Sequence, residues 1–308
     1  MIKHIKYKNI NWIQVESPTK EEVASLAGAY DIHPVIVHEL ETPSERSKVD
    51  LYDNCMYLIL HFPDHLLSFG GPSAGKDTQE VDFIVGKDFI ITTHYESIGS
   101  IEEFAKIFEA TAMLDRSRKE IHAGYLFFFI LRHLYQSLEP GLHHINNELK
   151  KIEQRTFSGR ENENIKALAQ VNRILLDFRW SLKNHKNVLR SLETAGKEFF
   201  GEKFSYYLDA IIGDYEKVWN MLESSRENFI DLQKTNDSLL TIRSNEIMKN
   251  LTVMSFVTFP LALVAAIFGM NTEFTPITRH PYGFWIIIAM MLAMGIVMYG
   301  YFKHRRWM

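Results

Sequence analysis

LTVMSFVTFPLALVAAIFGMN at residues 251–271 and FWIIIAMMLAMGIVMYGYF at residues 284–302 decide how this chain is organised. Neither stretch contains Asp, Glu, Lys or Arg. Each has the roughly 20 residues that a helix needs to cross a bilayer, so spans are expected at residues 251–270 and 284–302. The connection at residues 271–283 is too short to hold a domain, which puts both ends of the hairpin on one side. Arg243 and Lys249 precede the first span, and Lys303, Arg305 and Arg306 follow the second. Lys and Arg mark the cytoplasmic side. Residues 1–250 and the basic tail at 303–308 are therefore expected in the cytoplasm, with the 271–283 loop outside.

Whole-chain composition conceals this arrangement. A net charge of -4 and 46% hydrophobic residues over 308 positions would suit an ordinary soluble protein, because the large head dilutes the apolar tail. Met1 to Lys6 has charges every few residues and no apolar core, so it does not read as a signal peptide. A single cysteine, Cys55, excludes an intrachain disulfide framework. Mild acidity without a basic block argues against a nucleic-acid partner.

Residues 1–115 read as an α/β domain. Ile10 to Val15 and the run through Tyr57 and Leu60 have strand character, while Val81–Val85 and Phe89–Thr93 predict a hairpin turned at Gly86-Lys87-Asp88. Ser17-Pro18-Thr19-Lys20-Glu21 opens a helix, with others predicted at Pro34 to Leu40 and Ile101 to Glu109. Residues 116–200 read as an antiparallel helical segment. One helix is expected to Phe157, with a kink at Pro140-Gly141, and another from Asn162 to Leu192. Phe127-Phe128-Phe129 reads as core packing. From Phe204 to Gly269 the only glycine before the end is Gly213 and the only proline is Pro260. That predicts one long helix, with residues 201–250 as a cytoplasmic stalk. Its length calls for neighbours, in a bundle or an oligomer.

Asn245, Met248, Thr252, Ser255, Phe259, Ala262 and Ala266 recur at steps of three and four, and so share one side of the first span. Such a stripe fits either tight helix packing or the lining of a pore made by several copies. Two spans alone cannot enclose an aqueous path, because each polar face must be buried against another helix.

These residues resemble the CorA family of magnesium channels. The resemblance rests on Phe268-Gly269-Met270-Asn271 with Glu273, Phe274 and Pro276, on Tyr282-Gly283, and on Tyr301-Phe302-Lys303-His304-Arg305-Arg306-Trp307-Met308. Ser244 to Thr252 is similar to the start of the family's pore helix, and Pro260 sits at a family proline position. The resemblance implies a homopentameric funnel with an α/β cytoplasmic head, a long-helix stalk and two C-terminal membrane helices. It implies a selectivity filter at Gly269, Met270 and Asn271, and a pore lined by Asn245, Met248, Leu251, Thr252, Ser255, Phe259, Ala262 and Ala266. Met248 and Leu251 would form a hydrophobic constriction that gates by dewetting. Phe259 and Ala262 depart from the methionine and threonine usual in relatives.

Mg²⁺ loses water reluctantly, so neutral oxygens contacting its hydration shell suit a filter. Asn271 offers such oxygens, Gly269 permits a tight backbone, and Glu273 would concentrate cations in the outer loop. The resemblance also implies regulation by cytoplasmic Mg²⁺ between subunits, at Glu39 and Asp209, with His38 where relatives carry a second acid. Paired carboxylates repel unless a divalent ion bridges them.

The expected function is Mg²⁺ influx, with Co²⁺ and Ni²⁺ as further ions, through a homopentamer in the cell's inner membrane. No cofactor beyond Mg²⁺ and no nucleotide is expected, and no catalytic constellation is visible. A ZntB-like zinc transporter of the same superfamily is the nearer alternative, and a membrane-tethered sensor or scaffold the more distant one. Gly70-Gly71-Pro72-Ser73-Ala74-Gly75-Lys76 has P-loop spacing, but Asp77 stands where the metal-binding hydroxyl is needed, and it reads as a loop. Thirteen histidines form no compact zinc spacing.

Overall fold

The computed structural model describes residues 2–63, 78–114, 122–158, 163–270 and 281–305. They form two compact units, Met1–Gln233 and Lys234–Met308. In the first, strands β1 (Ile2–Tyr7), β2 (Ile10–Glu16), β3 (Lys48–Leu51), β4 (Met56–Pro63), β5 (Thr78–Val85) and β6 (Phe89–His94) make one sheet in the order β1-β2-β6-β5-β4-β3. Only β2 and β6 pair in parallel; the other neighbours are antiparallel. β4, β5 and β6 are interior strands covered on both faces, which is why they read as nearly unbroken apolar runs. β1 is an edge, and Lys3, His4 and Lys6 keep it from pairing further. Neither β1 nor β3 was expected from periodicity, since one is charged and the other only four residues long.

The β5–β6 hairpin turns where the sequence predicts. Gly86 N–H donates to the Phe89 carbonyl, 2.9 Å away. A Cβ at Gly86 would overlap the Phe89 ring, so any larger residue there would have to displace that ring.

Helices α1 (Lys20–Tyr30) and α2 (Pro34–Glu39) cover one face of the sheet. Thr19 and Glu22 complete a capping box at the start of α1, each side chain bonding the other's backbone N–H. Pro34 occupies the first turn of α2, where its missing N–H costs nothing. Val23, Leu26 and Ile36 pack on Ile13, Val15, Tyr57, Ile59, Ile84 and Ile91.

The opposite face supports helices α3 (Gly99–Leu114), α4 (Ala123–Phe157), α5 (Asn164–Leu182), α6 (His185–Phe200) and the first part of α7 (Ser205–Phe268). One hydrophobic core joins Trp12, Leu58, Phe83 and Ile90 of the sheet to Phe127, Leu134, Phe178, Leu192, Leu208 and Val218 of the helices. Residues 1–115 and the helices after them thus share a core. Burying each such large side chain contributes on the order of 2–3 kcal/mol. In the aromatic triplet Phe127 and Phe128 are buried, whereas Phe129 is half-exposed.

α4 runs continuously through Pro140. The single helix expected from Asn162 to Leu192 is instead two, separated by a turn at Lys183 and Asn184. Asparagine competes with helical hydrogen bonding, and the turn seats His185 in the core. The His185 ring lies against Phe62 and Tyr215, and its Nδ1 is 2.9 Å from the Tyr135 hydroxyl. α7 is one uninterrupted helix of 64 residues, as the absence of breakers predicts.

Burial pushes the His185 imidazole down to about 3 from 6.5, and the neighbouring His61 adds to the shift. Burial likewise lowers His94 and His122. The folded state binds fewer protons at these sites than the unfolded chain, so their contribution is present above the unfolded value and is lost as pH falls toward the folded one. The thermal midpoint of the detergent-solubilised protein should therefore drop between about pH 7 and about pH 5. His185→Asn should make that drop shallower; an unchanged slope would show that His185 does not titrate with folding.

Candidate functional site

The end of α7 and α8 (Gly283–His304) form the second unit. Both helices have spans long and apolar enough to cross a membrane, and only 6% of each span's residues are buried. Such faces need lipid or further copies of the chain to cover them. Exposed aromatics sit at both ends of α8, Tyr282 and Trp285 at one and Tyr299 and Tyr301 at the other. That is where interfacial belts belong.

α8 covers only one side of α7. Val253 is 2% exposed, and Val257, Pro260, Leu261, Val264 and Phe268 are partly covered. Phe256 meets Phe302 at 6.3 Å between ring centroids, and Leu261 borders a groove of about 450 Å³ with Ile288, Leu292 and Ile296. At about 100° per residue, Val253, Val257, Pro260 and Val264 share one face. Met248, Phe259, Ala262 and Ala266 fall on the opposite face and are exposed, as are Asn245 and Leu251 at the N-terminal end. Thr252 and Ser255 are half-buried on the same stripe. The structure therefore leaves the expected stripe free of the chain's own second span.

Thr252 Oγ1 donates to the Met248 carbonyl at 2.7 Å. Its proton is thereby committed to the helix, and only oxygen lone pairs face outward. An acceptor of that kind suits the hydrogens of a cation's hydration water. At the end of α7 the Gly269 N–H donates to the Ala265 carbonyl at 2.9 Å, and the Met270 N–H to Ile267 at 3.3 Å. The last turn is tightened, and a Cβ at Gly269 would lie 3.0 Å from the Ala265 oxygen. Asn271 and Glu273 lie outside the described residues, as do residues 70–76 with the P-loop spacing.

Glu39 closes α2 and is half-buried. Its Oε1 accepts from Lys48 Nζ at 2.7 Å, while its Oε2 is enclosed without a partner. The same Nζ reaches Asp50 Oδ2 at 2.6 Å. Burial works against the Lys48 ammonium, but the Asp50 and Glu39 carboxylates raise its pKa overall. Sequence reasoning missed this cation, because it lies nine residues from Glu39 on another element. Asp209 is exposed on the first turns of α7, and His38 is exposed beside Glu39. Within one chain no hydrogen bond or ion pair joins Glu39 to Asp209. Among the described residues no group of three His, Cys, Asp or Glu is placed to hold a metal ion.

Comparison with known proteins follows the same outline along the whole chain. Residues 7–304 match the family described as CorA-like Mg²⁺ transporter protein. The cobalt/magnesium transport protein CorA of Thermotoga maritima is 22% identical over 298 residues, covering 96% of this chain and 83% of that one. The complete structure of the CorA magnesium transporter from Methanocaldococcus jannaschii superposes with a TM-score of 0.80 at 21% identity, over 99% of this chain and 94% of that one. The ZntB cytoplasmic domain from Vibrio parahaemolyticus shares the fold with a TM-score of 0.60 at 13% identity, over 78% of this chain and 90% of that one.

Proposed function

The chain belongs to the CorA-like Mg²⁺ transporter family, and on that premise we propose that five copies assemble around the first span to conduct hydrated Mg²⁺ into the cell. Membership supports a membrane transporter of divalent cations and not an enzyme. The observation that carries the finer reading is the stripe from Asn245 to Ala266, which lies on the side of α7 that α8 leaves open. Set around an axis, that face lines a pore, and the covered face looks outward toward α8 and lipid.

In this reading Asn271 carbonyls at the outer mouth hold the ion through its water shell, and Met270 and Gly269 complete the filter. Glu273 raises the local cation concentration. The Thr252 oxygen lone pairs continue the acceptor surface inward, and Met248 and Leu251 make the apolar gate. The membrane potential drives entry at roughly 2.3 kcal/mol per charge per 100 mV, doubled for a divalent ion. Both termini face the cytoplasm of the inner membrane. Co²⁺ and Ni²⁺ share the path, and no cofactor takes part beyond Mg²⁺ itself.

Cytoplasmic Mg²⁺ closes the channel by bridging Glu39 of one subunit to Asp209 of the next. Lys48 holds one oxygen of the half-buried Glu39 carboxylate, and the other has no donor within the chain. Zinc transport remains the second reading, because Ala262 removes a hydroxyl ring and His38 supplies an imidazole beside Glu39.

Flux into proteoliposomes loaded with a Mg²⁺ or Zn²⁺ indicator tests the proposal. Mg²⁺ influx should follow an imposed potential and fall to background in Asn271→Ala. Zn²⁺ flux that depends on a proton gradient, with little Mg²⁺ flux, would move the assignment to the zinc branch. The two faces of α7 give a separate test. Cys55 is buried and its thiol is pushed up to about 11, so it is an unreactive background. Ala262→Cys and Ala266→Cys should react with a charged thiol reagent in the membrane, and Val253→Cys should resist. Equal reaction at Val253 would remove the pore from this stripe.

A further inference from the structure

β5 is an interior strand, yet it places two carboxylates, Glu80 and Asp82, on its α1–α2 face, where alternate residues share a side. Glu80 is 7% exposed and Asp82 fully buried. Each has one oxygen satisfied. The Ser44 N–H donates to Glu80 Oε2 at 2.6 Å, and the Thr93 hydroxyl donates to Asp82 Oδ2 at 3.0 Å. The other two oxygens, Glu80 Oε1 and Asp82 Oδ1, are closed off from solvent and have no partner. The two side chains are close enough to hydrogen-bond each other once one of them is protonated.

Two ionised carboxylates side by side on one buried strand face, each with an unsatisfied oxygen, would repel in a medium that screens poorly. A single proton removes both the repulsion and the two orphaned acceptors, because the protonated acid donates to its neighbour. We propose that Glu80 and Asp82 form a proton-binding site that holds one shared proton at neutral pH.

The surroundings favour a proton over a metal ion. No group of three ligands is assembled among the described residues. Lys48 on β3 is bonded to Glu39 of α2 and Asp50 of its own strand, and stands 5.4 Å from the centre of the Tyr57 ring. From β4 come Tyr57 and His61, from β6 Thr93, and just beyond it Tyr95. α1 adds Val23, Leu26, Ala27 and Tyr30 to this side, with Tyr30 against Phe89 at the far end of β6 from Thr93. His61 Nε2 lies 3.7 Å from Glu80 Oε2, but that nitrogen is 2.8 Å from the Ser44 carbonyl and its Nδ1 is 2.9 Å from the Ser47 hydroxyl. Burial first, and then the Glu80 charge, hold the Asp82 carboxyl well above its ordinary range, which makes Asp82 the acid of the pair. Glu39 adds to that push through space, without a hydrogen bond to Asp82. Glu80 lines a cleft of about 820 Å³ with Ser44, His61, Glu96 and Trp180, which provides the route for the proton to exchange.

The site also has a mechanical consequence. Ser44 is tied to Glu80 through its N–H and to His61 through its carbonyl, so the segment between α2 and β3 is fastened to the sheet at the pair itself. Losing the proton puts a second negative charge beside that fastening. Folded Asp82 binds its proton more tightly than the unfolded chain does. Its stabilising contribution is therefore present in acid and is lost as pH rises through the folded value.

Infrared spectra of the full chain in detergent, with a chelator present at about pH 7, test the pair directly. Wild type should show a protonated-carboxyl C=O band that Asp82→Asn lacks and that fades on raising the pH. The thermal midpoint of wild type should fall as pH rises from the acid range to the point where the band has faded. Asp82→Asn, whose amide donates permanently to Glu80, should stay level and melt a few degrees higher at the alkaline end. Absence of the band, its survival in Asp82→Asn, or a pH slope of the thermal midpoint unchanged by the substitution would overturn the proposal. So would loss of the band on adding Mg²⁺ at neutral pH, which would give the site to a metal ion. If Asp82→Asn does not fold, the pH titration of the wild-type band still decides.

Discussion

Apolar surface that the chain cannot cover by itself is the constraint on which the rest of this structure depends. The membrane-length part of α7 and α8 meet along one narrow seam around Val253, Leu261 and Phe302, and only 6% of each span is buried. In water that surface would be untenable, since each buried CH₂ gains about 0.8 kcal/mol. Lipid or further copies of the chain must supply the cover, and the seam leaves two unlike sides for them. The small and polar stripe lies open, while α8 lies along the side that carries Val253, Val257 and Leu261.

The head solves the opposite problem. Its interior strands are covered twice, by α1 and α2 on one face and by α3 to α7 on the other. Double burial explains both the apolar runs in β4 to β6 and the cost of any exception. Asp82 and Glu80 are such exceptions. A charge in that position is tolerated only when it is paired, hydrogen-bonded or neutralised, and the Thr93 hydroxyl and the Ser44 N–H meet only half of the need. Lys48 resolves a milder version of the same problem for Glu39 and Asp50 at the rim of the sheet.

Much of the fold was legible along the chain. The two spans, the long helix without breakers, the capped start of α1 and the β5–β6 hairpin depend on residues close in sequence, and so leave periodic or local signatures. The split between α5 and α6 did not, because it depends on seating His185 among Phe62, Tyr135 and Tyr215 from three other elements. Of the candidate site, the stripe on α7 could be read from its spacing alone. Its orientation could not, since nothing in the order of residues says which face α8 will cover. Glu39 was visible as an acid in a matching motif, but its hold on Lys48 was not.

Hydropathy and helical period are properties of neighbouring residues, so the chain by itself determined that it has an α/β head, a continuous long helix and two membrane-length spans. The fold alone decided which side of α7 stays open, that Lys48 bonds both Glu39 and Asp50, and that Glu80 and Asp82 are buried with one unpartnered oxygen each. The physical reason is range. Hydrogen bonding, charge pairing and burial act between atoms that only folding brings together, and in sequence Asp82 is simply one acid in a run of strand-forming residues.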